Sequence, residues 1–216
     1  MENTYKILYE GGTGEIEVKK SRFIAQTFPI HTQEEAAALI EQVKKKYYDA
    51  RHNCFAYVAG RSHSLQRFSD DGEPAGTAGK PILETLLNED VHDCLLVVTR
   101  YFGGTLLGTG GLTRAYRESA VKGLAASVVV ERQDGHLYTV TTDYSRIGKL
   151  QYLFSERGIP VLDSRFTENA AMDILLTAVN EEAVLKAVAD ASAGTAQVEK
   201  KEALAFGLKD GEVLLL

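Results

Sequence analysis

Asp70-Asp71-Gly72-Glu73-Pro74-Ala75-Gly76-Thr77-Ala78-Gly79-Lys80-Pro81 packs three acidic residues, three glycines and two prolines into twelve positions. No helix or strand favours that composition. Glycine opens backbone angles that other residues avoid, and proline fixes φ and removes a donor. The stretch reads as a shaped loop that displays carboxylates. A second glycine-rich element follows from Thr99 to Tyr116 (TRYFGGTLLGTGGLTRAY). Between the two loops, Leu95-Leu96-Val97-Val98 is a continuous apolar run that suits a central strand buried on both faces. Two loops flanking one buried strand define a compact module, and any site is expected there.

Working outward, Arg22 to Ile30 reads as a strand. Thr32 then opens a helix, with Glu35 completing a capping box and Ala36, Leu39, Ile40, Val43 and Tyr47 on one face. Phe55 to Ala59 reads as a strand and Leu65 to Phe68 as its hairpin partner. Pro81 sits in the first turn of a helix carrying Ile82, Leu83, Leu86 and Leu87. Gly110 and Gly111 open a helix with Leu112, Ala115, Tyr116, Ser119 and Leu124, and a strand from Ser127 to Val130 closes the module. Arg132-Gln133-Asp134-Gly135 reads as a turn-like linker.

Beyond the linker the order is simpler. His136 to Tyr144 is a strand; Ser145 caps a helix with Ile147, Leu150 and Phe154, ended by Gly158. Ile159 to Phe166 and Ala171 to Val179 are strands, the second with alternating apolar positions. Asn180 caps a helix with Glu181 and Glu182 in its first turn, Gly194 ends it, and Thr195 to Leu204 is the last strand. The order β-α-β-β-α-β is the split motif of ferredoxin-like domains. The expected fold is α+β with two domains, residues 1–132 and 133–216.

The chain has 216 residues, 44% apolar and 25% charged, ordinary for a soluble globular protein. No apolar run approaches the roughly 20 residues that span a bilayer, so no membrane contact is expected. The N-terminus lacks the order of a signal peptide. With two cysteines, this points to free thiols in a reducing cytoplasm. A net charge of −6 argues against a general binder of duplex DNA. It leaves room for a local basic face, with Lys19, Lys20, Arg22, Lys44 to Lys46, Arg51, Arg61, Arg67, Arg114 and Arg117 as candidates.

Three motifs carry chemistry. The 103–111 loop runs strand, glycines, helix, the arrangement that aims N–H groups at an anion. It lacks the Gly-Lys-Ser/Thr of a P-loop and the third glycine of the dinucleotide fingerprint, and a tight turn accounts for its glycines equally. Asp70, Asp71 and Glu73 have the chemistry to hold Mg²⁺ or move protons, or else to bond their own loop and pair with Arg67, Arg100 or Arg114. His52-Asn53-Cys54 and His92-Asp93-Cys94 share the spacing His-x-Cys. That spacing admits a metal site or a Cys–His nucleophile, but it is not a zinc-ribbon spacing, and buried inert thiols are the plainer reading. Tyr47, Tyr57, Tyr101 and Tyr116 either stack bases or pack the core.

Read together, these stretches resemble the YigZ/IMPACT family. The matching residues are 19–25 (KKSRFIA), 49–57 (DARHNCFAY), 69–81, 99–104 and 107–116. The resemblance implies a first domain similar to the second domain of a small-subunit ribosomal protein. It implies a second, ferredoxin-like domain similar to the last domain of elongation factor G. It further implies a role in translational control and the stress response, since eukaryotic relatives compete for the activator of the starvation-responsive initiation-factor kinase. No reaction is established for the family to carry over. Relatives commonly carry Lys where this chain has Leu106, which weakens a phosphate-binding reading of the loop.

The expectation is therefore a non-enzymatic cytoplasmic binding protein. Its partner is RNA, the ribosome or a translation-associated protein, with no cofactor, no metal and no catalytic residue. The binding residues expected are Asp70, Asp71, Glu73, Thr77, Lys80, Arg100, Tyr101, Gly103, Gly104, Gly108, Gly110, Gly111, Arg114 and Tyr116. Arg100, Arg114 and nearby basic residues would meet phosphate or acidic groups. Two rivals stand beside it. One is an enzyme acting on a small phosphorylated or peptide-like substrate, with Asp71 and Glu73 supplying the chemistry. The other is a pure protein adaptor.

Overall fold

The computed structural model describes residues 4–61, 63–209 and 211–216. They divide into two units, Tyr5–Val130 and Glu131–Leu216 with Thr4. Among the described residues, no helix is long and apolar enough to cross a membrane.

In the first unit, β2 (Thr13–Val18), β3 (Ser21–Pro29), β4 (His52–Ala59), β5 (Leu65–Ser69) and β7 (Cys94–Tyr101) form one antiparallel sheet, ordered β2-β3-β7-β4-β5. The period of two in a strand sends alternate side chains to opposite faces. Phe55, Tyr57, Leu95 and Val97 face helix α1 (Gln33–Lys46) through Ala36, Ile40 and Val43. Cys54, Ala56, Val58, Leu96 and Val98 face α2 (Gly79–Asn88) and α3 (Gly108–Ala125) through Ile82, Leu86, Leu112 and Tyr116. The apolar run 95–98 is thus covered on both faces, as expected, although its neighbours run antiparallel. The capping box forms: Thr32 accepts from the Glu35 N–H, and Glu35 accepts from the Thr32 and His31 N–H groups. The strands β1 (Tyr5–Glu10) and β6 (Val91–His92), not foreseen from the pattern, pair in parallel.

The linker expected at 132–135 is not a turn. One strand, β8 (Val128–Thr142), runs straight through it. Gln133 and Asp134 pair with Phe206 and Ala205, and Gly135 sits opposite Leu204 and Thr177. A Cβ on Gly135 would meet the Leu176 carbonyl oxygen at 2.7 Å and the Phe206 ring at 3.1 Å. The glycine marks close approach of a neighbouring strand rather than a chain reversal.

The second unit follows the β-α-β-β-α-β order: β8, α4 (Ile147–Glu156), β9 (Val161–Phe166), β10 (Ala170–Thr177), α5 (Glu181–Ala191) and β11 (Gln197–Lys209). A further hairpin strand, β12 (Glu212–Leu215), extends β11. The pairings give the antiparallel order β11-β8-β10-β9, the split-βαβ arrangement. Tyr138, Val140, Met172, Ile174 and Leu176 of the sheet bury against Leu150, Phe154, Val184 and Val188 of the helices. Two caps differ from expectation. Ser145 bonds to Asp143 instead of capping α4, and Asn180 accepts from the Thr177 N–H, closing the preceding turn, instead of from α5. Both side chains found a partner on the incoming turn, where Asx and Ser side chains compete with capping.

Candidate functional site

The acidic loop is built inward. Asp70 accepts N–H bonds from Gly76 (2.8 Å), Ala78 (3.0 Å) and Gly79 (2.9 Å). Ala78 and Gly79 open α2, whose own N-cap side chain offers no acceptor. A carboxylate from eight residues upstream therefore satisfies the orphan donors and sits at the positive end of the helix. Asp71, held at φ +42°, accepts from the Asn53 N–H at 2.7 Å and lies 3.4 Å from Lys44 Nζ. Its own carbonyl oxygen lies 2.8 Å from His52 Nδ1. Thr77 is buried and donates to the Pro74 carbonyl, and Lys80 is exposed.

Glu73 is the centre of a buried polar web. Its Oε1 accepts from Arg100 Nη1 at 2.6 Å and from the Tyr116 hydroxyl at 2.8 Å. Cys54 Sγ lies 3.3 Å from that hydroxyl and 3.0 Å from the Asp70 carbonyl. Arg100 Nη2 reaches Ser21 Oγ, and the guanidinium lies over the rings of Phe23 and Phe102. The sheet and α3 force these groups together, because β7 supplies Arg100, β4 supplies Cys54 and α3 supplies Tyr116. Burial above all, then the Cys54 and Glu73 neighbours, pushes the Tyr116 phenol far above its ordinary range. Burial pushes the Cys54 and Cys94 thiols up as well, so neither is an activated nucleophile.

The His-x-Cys pairs do not converge. Asp93, at φ +52°, breaks the chain between β6 and β7, so Cys94 enters the core while His92 turns to Gly60. Arg100 is not free to meet a phosphate, since Glu73 takes its Nη1 in the protein interior. Arg114 is exposed on α3. Tyr101 is half-buried and donates to Asp49.

The glycine-rich loop splits its duties. Gly103 N–H donates to Ser21 Oγ, and a Cβ there would fall 2.0 Å from the Lys20 backbone, so this position is set by close approach. Gly104 and Gly108 have positive φ, and Gly110 and Gly111 lie in the first turn of α3, which starts two residues earlier than the pattern implied.

Beside this web opens a cleft of about 360 Å³. Arg51, His52, Gly72 and Pro74 line one part of it; Phe102, Leu106, Leu107, Gly108, Thr109 and Leu112 line the other, with Glu73 and Arg100 also contributing. Of the residues expected to bind, the cleft brings together Glu73, Arg100 and Gly108. Phe102 and Leu106 were missed as lining residues, although both lie inside the quoted loop. Leu106 is 83% exposed and Phe102 44% exposed, unusual for large apolar side chains; in the sequence the available signal was large apolar residues set within a glycine-rich loop.

These features define a two-unit α+β protein with a polar–apolar cleft at the junction of two shaped loops in its first unit. Residues 19–124 match the Impact N-terminal domain, and residues 140–195 match a domain of unknown function, DUF1949. The IMPACT family member YvyE of Bacillus subtilis is 40% identical over 173 residues, 80% of this chain and 80% of its own length. The IMPACT family member YigZ of Escherichia coli is 36% identical over 184 residues, 84% of this chain and 90% of its own. A solved structure of a hypothetical protein aligns with a TM-score of 0.59 at 35% identity, covering 94% of this chain and 98% of that one. The chain belongs to the IMPACT family.

Proposed function

We propose that the chain is a non-enzymatic binding protein linked to the regulation of translation, and that the cleft of its first unit holds a single-stranded stretch of RNA. The observation that carries this is the lining of the cleft. An exposed arginine (Arg51) and the uncapped first turn of α3 face the same space as the half-exposed Phe102 ring. Single strands are held by that combination: cations and N–H groups on the backbone, and an aromatic face under a base. The acidic residues shape the walls. Asp70 and Glu73 are spent on α2 and Arg100, which leaves the enzyme reading without a free acid–base pair on this loop.

Family membership supports the link to translation, through the translational role that the resemblance implies for eukaryotic relatives. The likeness of the first unit to a ribosomal-protein domain and of the second to the last domain of elongation factor G belongs to the same proposal. So do a cytoplasmic location and a functional division near residues 132 and 133. Leu106, exposed beside Phe102, favours a second reading, a protein partner bound with little salt dependence.

The test is co-sedimentation with ribosomes at near-physiological salt, alongside anisotropy titration of a labelled single-stranded RNA. The variants are Arg51→Glu and Phe102→Ala, both at exposed positions. RNA binding that weakens roughly tenfold in each, with a shallower salt dependence for Arg51→Glu, supports the proposal. Absence of binding to RNA and ribosomes by the wild type, or affinity unchanged in both variants, overturns it.

A further inference from the structure

At the opposite end of β4 from His52, three side chains of the first unit converge that no motif joins. His92 lies on β6, Asp90 on the turn after α2, and His63 on the turn between β4 and β5. Their ligand atoms all lie within 4.8 Å of one another. Asp90 Oδ1 is 3.3 Å from His92 Nε2 and 3.5 Å from His63 Nε2. The two imidazole rings stack, with centroids 3.8 Å apart and planes inclined by 11°.

The hydrogen bonds decide what those atoms offer. His92 Nδ1 lies 3.0 Å from the Gly60 carbonyl oxygen, which can only accept, so Nδ1 carries the proton. Gly60 is itself held by its N–H donating to Asp93 Oδ1 at 2.9 Å. The lone pair of His92 is thereby left on Nε2, facing the carboxylate. His63 Nε2 is buried with no hydrogen-bond partner. Burial, and then the neighbouring His92, hold His63 below its ordinary range, with Asp90 opposing. Two ring nitrogens and a carboxylate oxygen thus crowd within 4.8 Å of one another, an arrangement that favours a positive species among them; because the stacked rings keep their lone pairs in nearly parallel planes, the His63 ring has to turn out of the stack to aim at a shared ion.

A proton on His92 Nε2 would answer one contact. A charge-assisted bond is shorter, however, at about 2.7–2.9 Å, and a second proton on the stacked His63 would set two cations face to face. The two separations from Asp90, 3.3 Å to His92 and 3.5 Å to His63, are instead close to the edge of a tetrahedron around a metal. With metal–ligand bonds of about 2.0–2.1 Å that edge is about 3.4 Å. The Gly60 carbonyl on His92 Nδ1–H is the outer contact that fixes the tautomer of a ligating histidine.

We propose that His63, Asp90 and His92 form a binding site for a borderline first-row divalent cation such as Zn²⁺, with two imidazoles and one carboxylate as ligands and a fourth position for water. The ion would tie His63 to the turn after α2, so binding stabilises the first unit. The site is independent of the proposed RNA cleft, with which it shares no residue.

The experiment uses full-length protein without a histidine tag, stripped with a chelator and titrated calorimetrically with Zn²⁺ at neutral pH, with Co²⁺ absorption as a geometric probe. The variants are His63→Ala and Asp90→Asn, whose side chains lie at the surface side of the cluster, 24% and 61% exposed; matching circular dichroism confirms that they fold. The expected result is one equivalent bound by the wild type, an affinity at least roughly tenfold lower in each variant, and a Zn²⁺-induced rise in melting temperature that both variants lose. A folded wild type that binds neither ion overturns the proposal and leaves the cluster to a proton. Undiminished binding in both variants also overturns it, by placing the ion elsewhere.

Discussion

Glu73 and Arg100 meet at 2.6 Å with both side chains almost wholly removed from water, 4% and 6% exposed. Two ions that leave water need partners for their remaining polar atoms; Tyr116 and Ser21 supply two, while Arg100 Nε is buried without one. The pair therefore joins the acidic loop to the central strand and to α3 at one point.

Removing one partner is costly for that reason. Glu73→Ala leaves the Arg100 guanidinium buried without its counter-ion, and the expected loss is about 3–5 kcal/mol in denaturant unfolding. Replacing both residues together, Glu73→Leu with Arg100→Met, should cost much less than the single change. Equal losses would mean that the pair is not coupled.

Asp70 tests whether the acidic loop is scaffold. Asp70→Ala removes the acceptor for three N–H groups, two of them at the start of α2. The expected destabilisation is about 1–3 kcal/mol, with amide exchange quickening first at Gly76, Ala78 and Gly79. A change within experimental error would show that water replaces the carboxylate without penalty.

Gly110 separates backbone geometry from ligand approach. It lies in the first turn of α3, and a Cβ there meets nothing within 4 Å. Gly110→Ala should leave stability equal or raise it by about 0.5 kcal/mol. If RNA lies against this turn, the same variant binds it more weakly. Stability falling by more than 1 kcal/mol would show that this glycine serves the fold.

The second unit carries a pH signature. Hydrogen bonds from Arg165 above all, with Thr139 assisting, hold the Asp173 carboxyl below the usual range. A carboxyl depressed in the folded state stabilises at pH values above its unfolded value near 4, and that contribution is lost as the pH falls through the lower folded value. Acid titration of thermal stability should therefore show a limb below about pH 4 that Asp173→Asn flattens. An unchanged limb would assign acid sensitivity to other carboxyls.

Much of the chain was legible locally. The Thr32–Glu35 capping box, the two-sided burial of 95–98 and the alternation of Met172, Ile174 and Leu176 are decided by residues a few positions apart. These signals depend on periods of 2 and 3.6 and on short-range hydrogen bonds, which neighbouring residues alone can satisfy. The β-α-β-β-α-β order followed from them, as did the resemblance that placed the chain in its family.

The site was legible only as a region. Asp70, Asp71 and Glu73 look alike in the sequence, yet the fold sends one to the start of α2, one to the Asn53 N–H and one to Arg100. Gly135 reads as a turn until two strands are seen to press on it. His63 and His92 gain meaning only when α2 and the β4–β5 turn bring Asp90 between them. Local pattern in the chain set most of the elements, their order and the loops that carry the chemistry, while β1, β2, β6 and β12 escaped it. Tertiary structure alone decided which carboxylates are spent on the scaffold, which arginine stays at the surface and which side chains share a point in space, because those outcomes depend on partners that the chain brings together only after it has folded.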